Sequence, residues 1–469
     1  MQTSVPQPYE HALRHAAEQP DSLAVAGTNV EITYSQLADH ASRIAGILSA
    51  AGIRKGDVVG VLLPPPLEVI VIQALFQLAA ISCQPPTGYR GGSELDWLVS
   101  LEPTPGRTIL IDGPWLARAA VAPPAEPLPY ASDDDVCRLI FSSGTTGTPK
   151  AVPMSVRNLA YRAEVAPTHW MARRPILCIL GLGTASGSTA FFTSMVLGET
   201  YLLPGTDNIP LLSRFRVASV KGSPAQLSAL ADAVEASPVA LPELAVIQSV
   251  GTVLPSPLVL RLRDVLDAEV RNLYGSSESG VLSIREGESV DPMDAGIIVH
   301  DMAVEIVDAA GMAVAPGTVG LIRSRRPHQA TGYYRDDLAT AQHFRNGWFY
   351  PGDTGSITDG RLQLAGRTAE LINAGGVKID PARIDAATDG FPGLVDAAAF
   401  ALTDDSGIER IGLAIVGTMD VAALVRHLQT SLGTASPTVV VRVAGIPRTT
   451  MGKVRRGELE SVAKTQLNL

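Results

Sequence analysis

The chain has 469 residues, 46% of them hydrophobic and 18% charged, enough to build two or more folded cores and too apolar for a disordered chain. Its net charge of −10 argues against broad nucleic-acid binding, which needs Lys and Arg to neutralise phosphates. Cys83, Cys137 and Cys178 lie far apart without CxxC spacing, and no HExxH pair occurs, so the pattern predicts buried thiols in a reducing compartment and no metal site readable from side-chain spacing.

No signal peptide is read in MQTSVPQPYEHALRH. Residues 23–34 predict a hairpin turning at Gly27-Thr28-Asn29. Leu37, Ala41, Ile44, Ala45 and Leu48 then recur at helical spacing, with Ser35 as the expected N-cap and Gly52 as the stop. Residues 58–63 read as a buried strand and 67–80 as an internal helix, too short and too polar (Glu68, Gln73, Gln77) to cross a membrane. This alternation predicts an α/β fold with mostly parallel strands. Residues 123–135, rich in proline and ending in three aspartates, read as a surface loop.

The apolar run 136–141 leads into FSSGTTGTPKA, residues 141–151. Gly144, Gly147 and Pro149 let the backbone turn so that N–H groups point inward. Ser142, Ser143, Thr145, Thr146 and Thr148 add hydroxyl donors, and Lys150 completes a pocket for phosphate oxygens. It is not a Walker A loop, since the four-residue gap and Gly-Lys-Ser/Thr ending are missing. GLGTASG, within residues 176–187, loosely matches a dinucleotide fingerprint, with Asp207 about twenty residues on. That motif keeps a nicotinamide-dependent oxidoreductase open as a remote alternative, although close packing explains its glycines equally well. Gly222 and Gly251-Thr252 each follow strand-like runs, where a ligand can approach the backbone. Residues 304–307 and 318–322 predict an antiparallel hairpin in a smaller, β-barrel-like subdomain. Beyond residue 366 the pattern turns to a compact α+β block.

SSGTTGTPK resembles the phosphate loop of the adenylate-forming superfamily: acyl- and aryl-CoA synthetases, nonribosomal adenylation domains and luciferases. Four later segments, YGSSESG, WFYPGDTG, GRTAELINAGGVKI and PRTTMGKVRR, follow in that family's order. The resemblance implies a large N-terminal domain (1–366) of largely parallel sheets flanked by helices, a hinge at 367–370 and a small mobile C-terminal α+β domain (371–469). It assigns Lys453, Glu278, Thr145 and Lys150 to catalysis, and Glu278 with Ser277 to Mg2+. ATP or AMP would be held by Ser142, Ser143, Gly144, Thr146, Gly147, Gly251, Thr252, Tyr274, Gly275, Ser276, Ser277, Asp353 and Arg367. Tyr274 would pack near the adenine and Asp353 would accept the ribose hydroxyls. Gly375 and Gly376 match a thiol tunnel, where absent side chains leave room for a pantetheine arm.

The same comparison puts Thr184, Ala185, Gly187, Gly222, Ser279 and Gly280 in the acyl pocket. Ala185 stands where amino-acid-activating relatives carry an aspartate for the substrate ammonium. A buried α-amino group without that partner would be costly, which argues against a standard α-amino acid and for a fatty or aryl acid. The chain departs from the family at Ala369, where many relatives carry a charged hinge residue, and at Ala151 and Ser155. The expected activity is ATP-dependent transfer of a carboxylic acid, through acyl-AMP, to CoA in the cytoplasm, most like a short acyl- or aryl-CoA ligase. A carrier-protein phosphopantetheine remains an alternative acceptor, as does an amine or oxygen, and an inactive binding relative is a further alternative. No nucleic-acid partner and no membrane span are expected.

Overall fold

The computed structural model describes residues 5–86, 95–104, 106–142, 149–367, 370, 372–374, 377–403, 409–449 and 452–467. The hairpin at the start forms from Leu23–Ala26 and Glu31–Thr33, and a third strand, Tyr201–Leu202, joins it in parallel. The following helix, Tyr34–Ala51, is capped by Thr33 rather than by Ser35. The Thr33 hydroxyl accepts from the Gln36 amide and the Gln36 side chain answers the Thr33 amide, a reciprocal cap that moves the helix start forward. Gly52 ends it in the left-handed region at φ 118°.

The first large sheet runs Thr108–Leu110, Trp97–Ser100, Val58–Leu62, Ile81–Cys83, Val136–Ser142, Lys150–Ser155. All its neighbours are parallel except the last pair. That antiparallel pair sets Ser142 opposite Lys150, so the two ends of the predicted phosphate loop are pinned side by side. Helix Pro65–Gln77 is buried along its whole length from Glu68 on, which is why its sequence shows no polar face. Burial pushes the Glu68 carboxyl up to about 7 against the opposing pull of Arg138.

The second sheet has 12 strands. Its parallel part, Ile176–Cys178, Ser219–Gly222, Val246–Val250 and Glu269–Ser276, has helices Ala185–Leu197, Pro224–Ala236 and Ser256–Leu266 following its first three strands. From Glu269–Ser276 onward the pairing turns antiparallel through Gly280–Arg285, Asp294–Ile298, Arg361–Arg367, Asp353–Thr358 and Gly320–Arg325. The predicted hairpin is Ala303–Val307 against Gly320–Arg325. The strands expected as a barrel-like subdomain are thus hydrogen-bonded onto the edge of the parallel sheet.

The C-terminal block pairs Leu394–Thr403 antiparallel with Glu409–Gly417, which runs parallel to Val439–Arg442, with helices Pro381–Thr388, Val421–Leu432 and Arg456–Leu467 packed around them. Its two apolar clusters, one centred on Ile384 and Leu413, the other on Phe400 and Leu459, draw only on residues from 372 onward. All three cysteines are buried. No helix among the described residues is long and apolar enough to cross a membrane.

Gly183 and Gly187 of GLGTASG serve packing, while Gly181 turns the chain at φ 68°. A Cβ on Gly187 would lie 1.8 Å from the Gly181 carbonyl oxygen, so the helix start is pressed onto the preceding loop. The buried Arg138 guanidinium fastens that loop, donating to the Leu182 carbonyl at 2.6 Å and to Ser188 Oγ at 2.8 Å. Gly187→Ala is expected to destabilise the protein by about 1–3 kcal/mol through overpacking, read as a lower denaturation midpoint in urea; an unchanged midpoint would show the loop yields freely.

Candidate active site

Parallel strands of the second sheet end at Gly222, Val250 and Ser276, and the region beyond such carboxyl ends is the usual place for a ligand in such sheets. Gly222 closes one strand and is followed by Ser223, which caps the next helix. Gly251, at φ 101°, and Thr252 follow another. The segment 274–280 turns directly from one strand into its antiparallel neighbour. A Cβ on Gly275 would sit 2.2 Å from the Gly280 carbonyl oxygen, so only glycine permits this turn. Ser276 Oγ accepts from the Ser279 amide at 3.1 Å and lies 2.9 Å from Ser279 Oγ. Both hydroxyls therefore stiffen the turn.

Two buried arginines hold the same turn from behind, and neither was legible in the sequence. Arg162 donates to the Ser277 carbonyl at 2.7 Å and Arg326 to the Ser279 carbonyl at 2.9 Å. Isolated arginines carry no motif, and only the fold brings them to this turn.

Glu278 is buried and accepts a hydrogen bond from the Tyr333 hydroxyl at 2.8 Å. Burial first, then the Glu278 charge, raise the Tyr333 phenol far above its ordinary range, so it remains a donor. Lys150 Nζ lies 5.2 Å from the centre of the Tyr333 ring and donates to His343 Nε2 at 2.9 Å. The other nitrogen, Nδ1, is 2.9 Å from the Tyr350 carbonyl, which can only accept, so the proton sits on Nδ1 and Nε2 is free to receive the ammonium. Tyr333 and His343 also escaped the sequence reading.

Asp353 is the next station. Its Oδ2 accepts from the Tyr274 hydroxyl at 2.6 Å and its Oδ1 from Arg367 Nε at 2.7 Å. A carboxylate has about four lone-pair sites, so one remains on each oxygen for a pair of hydroxyls. Burial, and next the Asp353 charge, push the Tyr274 phenol well above its ordinary value.

Lys453 arrives from the C-terminal block on a tight turn, in which its amide donates to Thr449 Oγ1 at 3.2 Å and its carbonyl accepts from the Thr449 amide at 2.8 Å. Burial, and next the Arg367 guanidinium, lower its ammonium pKa, while Asp353, Glu278 and Glu370 act the other way. A Cβ on the preceding Gly452 would lie 3.7 Å from Thr252 Cγ2. The structure therefore brings Lys453 near Arg367, Asp353, Glu278 and Thr252. Glu370, three residues beyond Arg367, is held by Arg456 at 3.3 Å.

In the predicted acyl pocket, Thr184 spends its hydroxyl on its own helix, accepting from the Gly187 amide at 3.0 Å and donating to the Gly181 carbonyl at 3.0 Å. It caps the helix that begins at Ala185. Ala185 packs against the small apolar cluster that contains Tyr333, which keeps it beside Glu278's partner. Ser142 lies at the strand end opposite Lys150. Ser143, Gly144, Thr145, Thr146, Gly147, Ala369, Gly375 and Gly376 lie outside the described residues.

A family profile described as "AMP-binding enzyme" matches residues 13–89 and 93–334. The chain belongs to the AMP-binding enzyme family. It is 28% identical to a feruloyl-CoA synthase from Amycolatopsis, covering 95% of this chain and 97% of that protein. It is 26% identical to a 2-succinylbenzoate–CoA ligase from Bacillus velezensis, with 97% and 98% covered. Among solved structures, ATP-bound MatB from Rhodopseudomonas palustris superposes with a TM-score of 0.86 at 22% identity over 98% of this chain and 99% of that one, a shared fold.

Proposed function

We propose that this AMP-binding enzyme is an ATP-dependent acid–thiol ligase acting on a fatty or aryl carboxylic acid. In the first step a substrate carboxylate oxygen attacks the α-phosphorus of ATP, the bond to the β-phosphate oxygen breaks, and pyrophosphate leaves. In the second a thiol sulfur attacks the acyl carbon, its proton is lost, and AMP departs. Adenylation supplies the leaving group that a free carboxylate lacks. The observation that carries this reading is Lys453, delivered by the C-terminal block into the cleft of Asp353, Arg367 and Glu278.

Each side chain then has a task. Asp353 and Arg367 position the ribose side of the nucleotide. Lys150 and the residues 142–147 bind the phosphate tail, and Lys453 stabilises charge at the α-phosphate as it redistributes. Glu278, a hard-oxygen donor held by Tyr333, fits Mg2+, which with Ser277 it would help bind. That ion would neutralise phosphate charge. The hinge at 367–370 and the separate cores on either side of it support a small domain, 371–469, that turns to bring Gly375 and Gly376 to the thiol. CoA is the proposed acceptor, favoured by the CoA-ligase relatives, and a cytoplasmic setting fits the buried thiols.

A panel of carboxylic acids assayed for ATP-dependent hydroxamate formation tests the reading. Fatty or aryl acids are expected to outpace α-amino acids, and CoA to outpace a phosphopantetheinylated carrier protein on the best acid. Activation of α-amino acids alone would reverse the substrate assignment, and transfer to the carrier alone would reverse the acceptor.

A further inference from the structure

We propose that His169, His300 and Asp301 form a binding site for one divalent transition-metal ion of the Zn2+ type, apart from the nucleotide cleft. His169 follows the short 3-10 turn Ala166–Thr168, and His300 and Asp301 lie between the strands Asp294–Ile298 and Ala303–Val307. One donor atom from each residue lies within 4.8 Å of the other two. His169 Nε2 is 3.2 Å from His300 Nδ1 and 3.4 Å from Asp301 Oδ1. Ligands bound tetrahedrally at about 2.0–2.1 Å stand about 3.3–3.4 Å apart, so both separations already match the edge of a Zn2+ coordination tetrahedron.

The carboxylate is also oriented as a metal ligand requires. Asp301 Oδ2 is occupied, accepting from the Tyr161 hydroxyl at 2.8 Å and from Arg326. Oδ1 is buried, accepts no hydrogen bond and faces the two imidazoles, although the side chain is only 9% exposed. A buried acceptor without a donor is costly, and a cation satisfies it. Tyr161 and Arg326 act as the outer partners that fix a ligating carboxylate. Two imidazoles and one carboxylate suit Zn2+, with the fourth position left to water, and the exposed His300 provides the way in. Arg326 continues to the Ser279 carbonyl, so the ion would brace the turn beside the proposed acyl pocket.

The test titrates chelator-stripped full-length protein with Zn2+ alone by calorimetry, and with Co2+ for its visible spectrum. One equivalent of Zn2+ and an intense tetrahedral Co2+ band are expected. His300→Ala, at an exposed position, is expected to weaken binding by about 10–100-fold, the scale of loss on removing even an outer partner of a metal. His40→Ala, also exposed, is expected to leave binding unchanged. Equal affinity in wild type and His300→Ala, or only the pale octahedral Co2+ spectrum, overturns the site.

Discussion

Lys453→Ala is expected to lower the rate of acyl-adenylate formation about 10²–10³-fold, the cost of losing one donor aimed at transition-state charge. The loss should appear in kcat with little change in the KM for ATP, because the other proposed nucleotide contacts, Arg367, Asp353 and Lys150, are untouched. Pyrophosphate exchange measures this step directly. Thioester formation from supplied acyl-AMP is expected to survive if, as proposed, the small domain turns Lys453 away in that half-reaction. Exchange at the wild-type rate would remove Lys453 from the chemistry. The protonation state gives a second signature. Burial, and next Arg367, lower the ammonium pKa, and in the proposed role the active form is the charged one. Exchange should therefore fall on the alkaline side below the pH at which an ordinary lysine titrates, and Lys453→Arg, which stays charged, should lose that alkaline limb.

Much of this candidate site was legible in the chain because its residues lie in short contiguous strings. YGSSESG and PGD sit at a strand end or turn, and Ser142 and Lys150 at the facing ends of two paired strands, where local sequence dictates local geometry. The strand 136–141, the helix near Pro381 and the hairpin at 304–322 were readable for the same reason. Thr33 was passed over because the capping box is decided by a side chain three residues on, and both Thr33 and Ser35 suit the role. Thr184, expected in the acyl pocket, also caps the helix that follows it, a local use that a threonine ahead of a helix favours. Arg162, Arg326, Tyr333 and His343 were invisible for a different reason. Each acts on a carbonyl, a carboxylate or an ammonium far away in the chain, which only the folded sheet brings near.

Glu278→Gln is expected to reduce adenylation about 10²–10³-fold at a fixed Mg2+ concentration, with part of the activity regained as Mg2+ is raised. Glutamine keeps the shape and can still accept the Tyr333 hydrogen bond now made at 2.8 Å, so the turn at 274–280 should stay in place and the loss can be read as chemistry. What disappears is a full negative charge beside two cations, Lys453 and the proposed magnesium. Tyr333→Phe separates the two functions of this pair. It removes the donor that aims Glu278 but leaves the charge, so it should cost less than Glu278→Gln and shift the Mg2+ requirement less. If Glu278→Gln shows the wild-type Mg2+ dependence, Glu278 does not hold the ion. Its charge would then serve mainly to offset Arg367, whose guanidinium lowers the Lys453 ammonium pKa while Glu278 opposes it.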